Sequence, residues 1–88
     1  MSYEESMRFV KAFHDLRAKG DYTFDDLLNL ATQALNSDES NYEGYFCYAI
    51  AFFEMGANDE GQKMLDKCNE LLPPSEAISK VKLFGGKL

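Results

Sequence analysis

The sequence predicts an all-α protein built as two stacked antiparallel helical hairpins with a short C-terminal helix. Three observations lead there. Apolar residues recur at steps of three and four along most of the chain, which is helical spacing. No stretch sustains the period-two alternation of a half-buried strand. Breakers are few: six glycines and an adjacent pair of prolines, Pro73-Pro74, in 88 residues. A chain of that length forms one domain, here 1–88, with a limited core. Apolar residues at 45% and charged residues at 27% are ordinary globular proportions and argue against disorder.

The first helix is expected from Ser2 to Ala18, where Tyr3, Met7, Val10, Phe13 and Leu16 share a face and Phe9 lies beside them. Lys19-Gly20 supplies a stop, a basic last turn followed by glycine. Thr23 and Asp26 have the spacing of a capping box and open a second helix that buries Leu27, Leu28, Ala31, Ala34 and Leu35. These two helices form the first hairpin, 2–36. After a polar turn from Asn36 to Glu39, Ser40 and Glu43 form what reads as a cleaner capping box. The third helix then runs to Met55, with Gly56 as its stop. Asn58 or Asp59 caps a fourth helix carrying Met64, Leu65, Cys68 and Leu71, and Pro73-Pro74 ends it. The second hairpin is 40–73. Ser75 then caps a last short helix, 75–84, with Ala77, Ile78, Val81 and Phe84 before Gly85-Gly86.

The stretch from Tyr42 to Pro73 resembles a single tetratricopeptide repeat. Ala49 is the small residue inside the first helix, Phe52 the aromatic three positions on, and Gly56 marks the turn. Gly61, Leu65, Cys68 and Pro73 stand in register along the second. The resemblance implies close helix packing, with Ala49 and Gly61 facing one another across the hairpin. A glycine inside a helix otherwise costs about 1 kcal/mol relative to alanine, so Gly61 asks for such a reason. The first half is a degenerate match: Leu27, Ala31 and Ala34 keep the second-helix spacing, and Lys19 to Tyr22 is similar to the inter-helix turn. Its first helix lacks a clean small residue, and Glu39 stands where proline belongs. Repeat arrays normally need three or more units, so two imply a partner.

Within the third helix, residues 45–55 carry a single charge, Glu54. Their bulky apolar side chains cover an arc of about 220°, against about 100° for an ordinary surface helix. Tyr45, Tyr48, Ala49 and Phe52 are assigned to packing within the hairpin. Phe46, Ile50 and Phe53 match positions that line the concave groove of tetratricopeptide domains. Either the chain's own first hairpin or tail covers this stripe, or it is a groove for an apolar helix face. The groove positions implied by the resemblance, and hence the candidate partner-binding residues, are Glu43, Phe46, Cys47, Ile50, Phe53 and Glu54. A carboxylate clamp is not expected, because those positions carry no lysine, arginine or asparagine.

The net charge of −6 is concentrated in the middle of the chain. Between Gly20 and Gln62 there is no lysine or arginine, while nine acidic residues lie there. Such a field repels phosphate backbones and attracts basic surfaces, so nucleic acid is not an expected partner. The bland alternative is that acidity serves solubility alone. The start, MSYEESMRF, has acidic residues where a signal peptide needs positive charge, and the longest apolar run is too short for a membrane span. A cytoplasmic location and no membrane partner are expected, with Cys47 and Cys68 as reduced, buried thiols.

Chemistry-bearing patterns are weak. His14 has no metal-ligand spacing around it. Asp38, Ser40 and Glu43 fail the EF-hand pattern, since Tyr42 and Ala49 stand where oxygen ligands belong. The terminal GGKL lacks the strand and the serine or threonine of a P-loop. No nucleophile–base pair is suggested, so no enzyme activity and no cofactor are expected. The functional expectation is a protein–protein interaction module. In size, acidity and apolar groove it is similar to the small tetratricopeptide chaperones of bacterial type III secretion, which hold a needle subunit with a second co-chaperone. That resemblance implies a small helical protein or amphipathic helix as partner. The alternatives are a homodimeric scaffold or regulator, and an acidic mimic that blocks a nucleic-acid-binding protein.

Overall fold

The computed structural model describes residues 2–84, and within them every regular element is helical. The elements are α1 (Tyr3–Lys19), α2 (Phe24–Ser37), α3 (Tyr42–Glu54), α4 (Asn58–Glu70), a 3₁₀ turn (Pro74–Glu76) and α5 (Lys80–Leu83). The chain is therefore all-α, four main helices followed by a short fifth. The most extensive packing is within the pairs α1–α2 and α3–α4, and α3 also packs on α2 and α1. The glycine pair Gly85-Gly86 lies outside the described residues.

Local chemistry sets the first two helices as their sequence suggests. Ser2 is the N-cap of α1, its side chain accepting from the Glu5 N–H at 3.0 Å. Gly20 ends α1 at φ 77°, a left-handed conformation that glycine adopts without a Cβ penalty. At Thr23 the capping box is complete: Oγ1 accepts from the Asp26 N–H, and the Asp26 carboxylate accepts from the Thr23 N–H.

The next two helix starts depart from the sequence reading. Ser40 does not cap α3; it folds back onto Asp38, donating from its N–H and Oγ to Oδ1. The cap is Asn41, whose Oδ1 accepts from the Glu43 N–H at 3.1 Å. Asn41 wins because a buried network holds it. Its Nδ2 donates to Ser6 Oγ at 2.9 Å, and that hydroxyl donates to the Ala34 carbonyl at 2.6 Å. Nor does α4 begin at a capped Asn58 or Asp59: its N-cap is Ala57, without a side-chain cap bond. Gly56, at φ 83°, donates to the Phe53 carbonyl, and the Ala57 N–H donates to the Phe52 carbonyl. That pair of bonds is a Schellman ending, so Ala57 closes one helix while opening the next.

The tail differs most. Ser75 is exposed within the 3₁₀ turn and caps nothing, and Ser79 caps α5 instead, accepting from the Lys82 N–H. The cause is Asn69, whose Nδ2 donates to the Ile78 carbonyl and whose Oδ1 accepts from the Ile78 N–H. With both backbone groups of Ile78 bonded to that side chain, the chain stays extended there and α5 begins only after Ser79. The register change exposes Val81 and buries Leu83.

The core sits around α3. Phe13, Leu27, Ala31, Cys47, Ile50 and Leu65 are among the side chains that close it. Three i, i+4 rows of α3 meet three neighbours. Gly44 lies against Leu35 and Tyr48 hydrogen-bonds Thr32, both of α2. Tyr45 lies under Lys67, and Phe53 against Gly61, both of α4. Phe46 and Glu54 meet His14 and Arg17 of α1. The expected division of α3 into two stripes is thus corrected, since Phe53 takes part in packing the second hairpin. A Cβ placed on Gly61 would lie 2.7–2.9 Å from the Phe53 ring, which therefore fills the space that the glycine leaves.

Candidate functional site: the exposed faces of the third helix and the hairpin turns

The six candidate groove residues do not share one open surface. Cys47 and Ile50 are sealed in the core at 0% and 2% exposure, so neither offers a side chain to a partner. The other four lie in three places.

Glu43 and Phe46, one turn apart on α3, are half-buried. Burial raises the Glu43 carboxyl above its ordinary pKa. Phe46 stands edge-on to His14 with ring centroids 6.1 Å apart, and His14 is edge-on to Phe13 at 5.4 Å. The His14 pKa is lowered, first by burial and then by the Arg17 charge, with Asp15 opposing. The imidazole is therefore held toward its neutral form beside an apolar ring.

Phe53 is also half-buried, but the tail covers it. Its ring centroid is 6.2 Å from that of Phe84, and Lys80 Nζ lies 4.7 Å from it in a cation–π contact. The tail covering that was one reading of the stripe is thus real at Phe53. Phe46 and Phe53 are seven residues apart and so lie within about 20° of each other around the helix.

Glu54 lies at the far end of α3, where both hairpins turn. Arg17 donates to Oε1 from Nε at 2.9 Å and from Nη2 at 2.5 Å, while the Tyr22 hydroxyl donates to Oε2 at 3.0 Å. Burial and the adjacent Glu54 carboxylate raise the Tyr22 pKa, which keeps that donor in place. Beside this cluster is an open cleft of about 520 Å³ lined by Tyr22, Phe24, Glu54 and Met55. Sequence reasoning missed three of these four residues. Tyr22 and Phe24 sit at a helix junction rather than in a periodic run, and Met55 read as the inert end of α3. The available signal was a pair of aromatic residues set among Asp21, Asp25 and Asp26.

Burial pushes the Cys68 thiol up to about 11 and the Cys47 thiol further, so neither is activated as a thiolate nucleophile. Among the described residues, no three His, Cys, Asp or Glu side chains gather as metal ligands, and no helix is long and apolar enough to cross a membrane. No protein-family model, curated protein or solved structure matches the chain.

Proposed function

We propose that the chain is a protein–protein interaction module of tetratricopeptide type, which holds the apolar face of a partner helix along α1 and α3, in the place that the tail covers in the free chain. The observation that carries this reading is the way Phe53 is covered. Its ring fills the space at Gly61 and also meets Phe84 and Lys80 of the tail. A helix of four residues has little stability of its own. The tail is therefore a replaceable cover, and a partner helix bearing a leucine or aromatic anchor fits the same place. Half-buried Phe46, on the same face of α3, extends the strip. In a cell this is the work of a small holding chaperone for an amphipathic helix.

The geometry changes which residue tests the idea. Phe53→Ala empties the space over Gly61 and costs about 3 kcal/mol of stability, so its failure to bind would be ambiguous. Phe46→Ala should spare the fold, moving the melt by less than about 1 kcal/mol, while weakening an uncharged amphipathic leucine–glutamine helix by about 2 kcal/mol. Phe84→Ser should strengthen the same complex by freeing Phe53. Fluorescence anisotropy with the labelled peptide reads both effects. Absence of binding, or an affinity that neither variant moves, sinks the proposal. A sedimenting dimer of the free chain that Phe46→Ala dissolves would assign the face to self-association instead.

A further inference from the structure

We infer that the end of the molecule where both hairpins turn is a separate interaction surface, and that it takes a cationic amphipathic segment of a protein, an apolar side chain flanked by lysine or arginine. The inference does not rest on the α1–α3 face, because its residues are different ones.

The surface has an apolar cleft at its centre. The Tyr22 hydroxyl and Arg17 both bond Glu54, so the α1–α2 and α3–α4 connections are held side by side. The cleft of about 520 Å³ beside them is lined by Tyr22, Phe24, Glu54 and Met55. Met55 is 52% exposed. That volume falls within the range of about 300–1,000 Å³ typical of ligand clefts. Methionine is the adaptable side chain that interaction surfaces use to fit more than one apolar anchor. An exposed methionine next to two half-buried aromatic residues leaves apolar surface in water that a partner's side chain would cover.

The charge half comes from what surrounds it. Asp21, Asp25, Asp26, Asp59 and Glu60 are all exposed, on the two connections or in the first turns that follow them. Against these five carboxylates stand Lys19 at the end of α1 and Lys63 one turn into α4. Glu54 does not add to the excess, since Arg17 neutralises it. Acidic residues in a first turn normally answer the positive end of a helix dipole. Here that explanation falls short, because two helices begin and two end at this face, so their terminal charges of about half a unit each cancel. Asp26 gives one oxygen to the Thr23 N–H, and still the exposed carboxylates at this end of the molecule outnumber the lysines five to two. Anionic lipid and nucleic acid are repelled by such an excess, whereas a basic peptide is steered to it.

The probe is a labelled leucine–lysine amphipathic helix of about 18 residues, five turns. Two controls accompany it, oligolysine without leucine and a leucine–glutamate counterpart. Titrated into the full chain, the leucine–lysine peptide should bind, and raising salt from about 0.05 M to about 0.3 M should weaken it several-fold. Met55→Lys should weaken it about tenfold, and so should the double change Asp21→Asn with Asp25→Asn. All three positions are exposed, and circular dichroism checks that the helices persist. Phe46→Ala should leave this affinity unchanged. The inference is overturned if the peptide does not bind or if Met55→Lys binds as well as the parent. It is overturned equally if oligolysine matches the leucine–lysine peptide, or if Phe46→Ala abolishes binding.

Discussion

At the scale of single residues, two helical glycines do different work. Gly61 leaves room for a ring: a Cβ there would sit 2.7–2.9 Å from three carbons of Phe53, whose ring also meets Phe84 and Lys80. Gly61→Ala gains about 1 kcal/mol of helix propensity but must displace a rigid aromatic, at about 1–3 kcal/mol. The expected outcome is a net loss of up to about 2 kcal/mol in a urea melt. Gly44 faces Leu35, with Cδ2 at 2.5 Å and Cγ at 2.8 Å from the missing Cβ. Leu35 is half-buried and can change rotamer, so Gly44→Ala should fall within about 1 kcal/mol of the parent. If the two substitutions cost the same, the ring over Gly61 is not the constraint.

At the scale of elements, helix boundaries follow whichever polar side chain also has a tertiary partner. Ser40 and Asn41 are adjacent and both are good capping residues. Asn41 is 3% exposed and joins α3 to α1 through Ser6, whereas Ser40 is exposed and bonds Asp38 locally. Asn41→Ala should therefore cost about 2–3 kcal/mol, from the lost cap and the lost partner of a buried hydroxyl. Ser40→Ala should cost less than about 0.5 kcal/mol. Equal losses in denaturant melts would restore the capping box at Ser40. The same logic explains the tail, where Asn69 claims the backbone of Ile78 and delays α5 to Lys80.

At the scale of the whole molecule, the hairpins are not independent units. Ser6, Ala34 and Asn41 bind α1, α2 and the start of α3 into one buried network, and Arg17, Tyr22 and Glu54 tie the opposite end. The radius of gyration, 12.1 Å, matches the roughly 12 Å expected of a compact domain of this length. Repeat proteins lose cooperativity when units interact only with neighbours, but here α3 packs against α1 and α2 of the first hairpin as well as against α4. Urea unfolding should accordingly be one transition. Far-UV circular dichroism, which counts all helices, should coincide with tyrosine fluorescence, which samples both hairpins. A tyrosine signal that moves ahead of the helical signal would show a hairpin unfolding alone.

The amino-acid sequence by itself determined the helices, their order and most of their ends, because these depend on information within four residues. Apolar spacing, the Thr23–Asp26 box, and glycine at positions 20 and 56 are complete signals at that range. It also marked Gly61 as a residue with a packing task and α3 as too apolar for a surface helix. Which neighbour each side of α3 meets was decided by tertiary structure, because the assignment depends on rotation of the helix within the bundle. Phe46 and Phe53 share a face of α3, yet Phe53 meets Gly61 of α4 and Phe84 of the tail whereas Phe46 meets His14 of α1, because different neighbours lie at the two ends of that face. Ile50 and Cys47 are sealed in the core. The cleft at the hairpin turns belongs wholly to the tertiary level. Tyr22 and Met55 are 33 positions apart in the chain. No pattern along the chain links them; the bonds that Arg17 and Tyr22 make to Glu54 do.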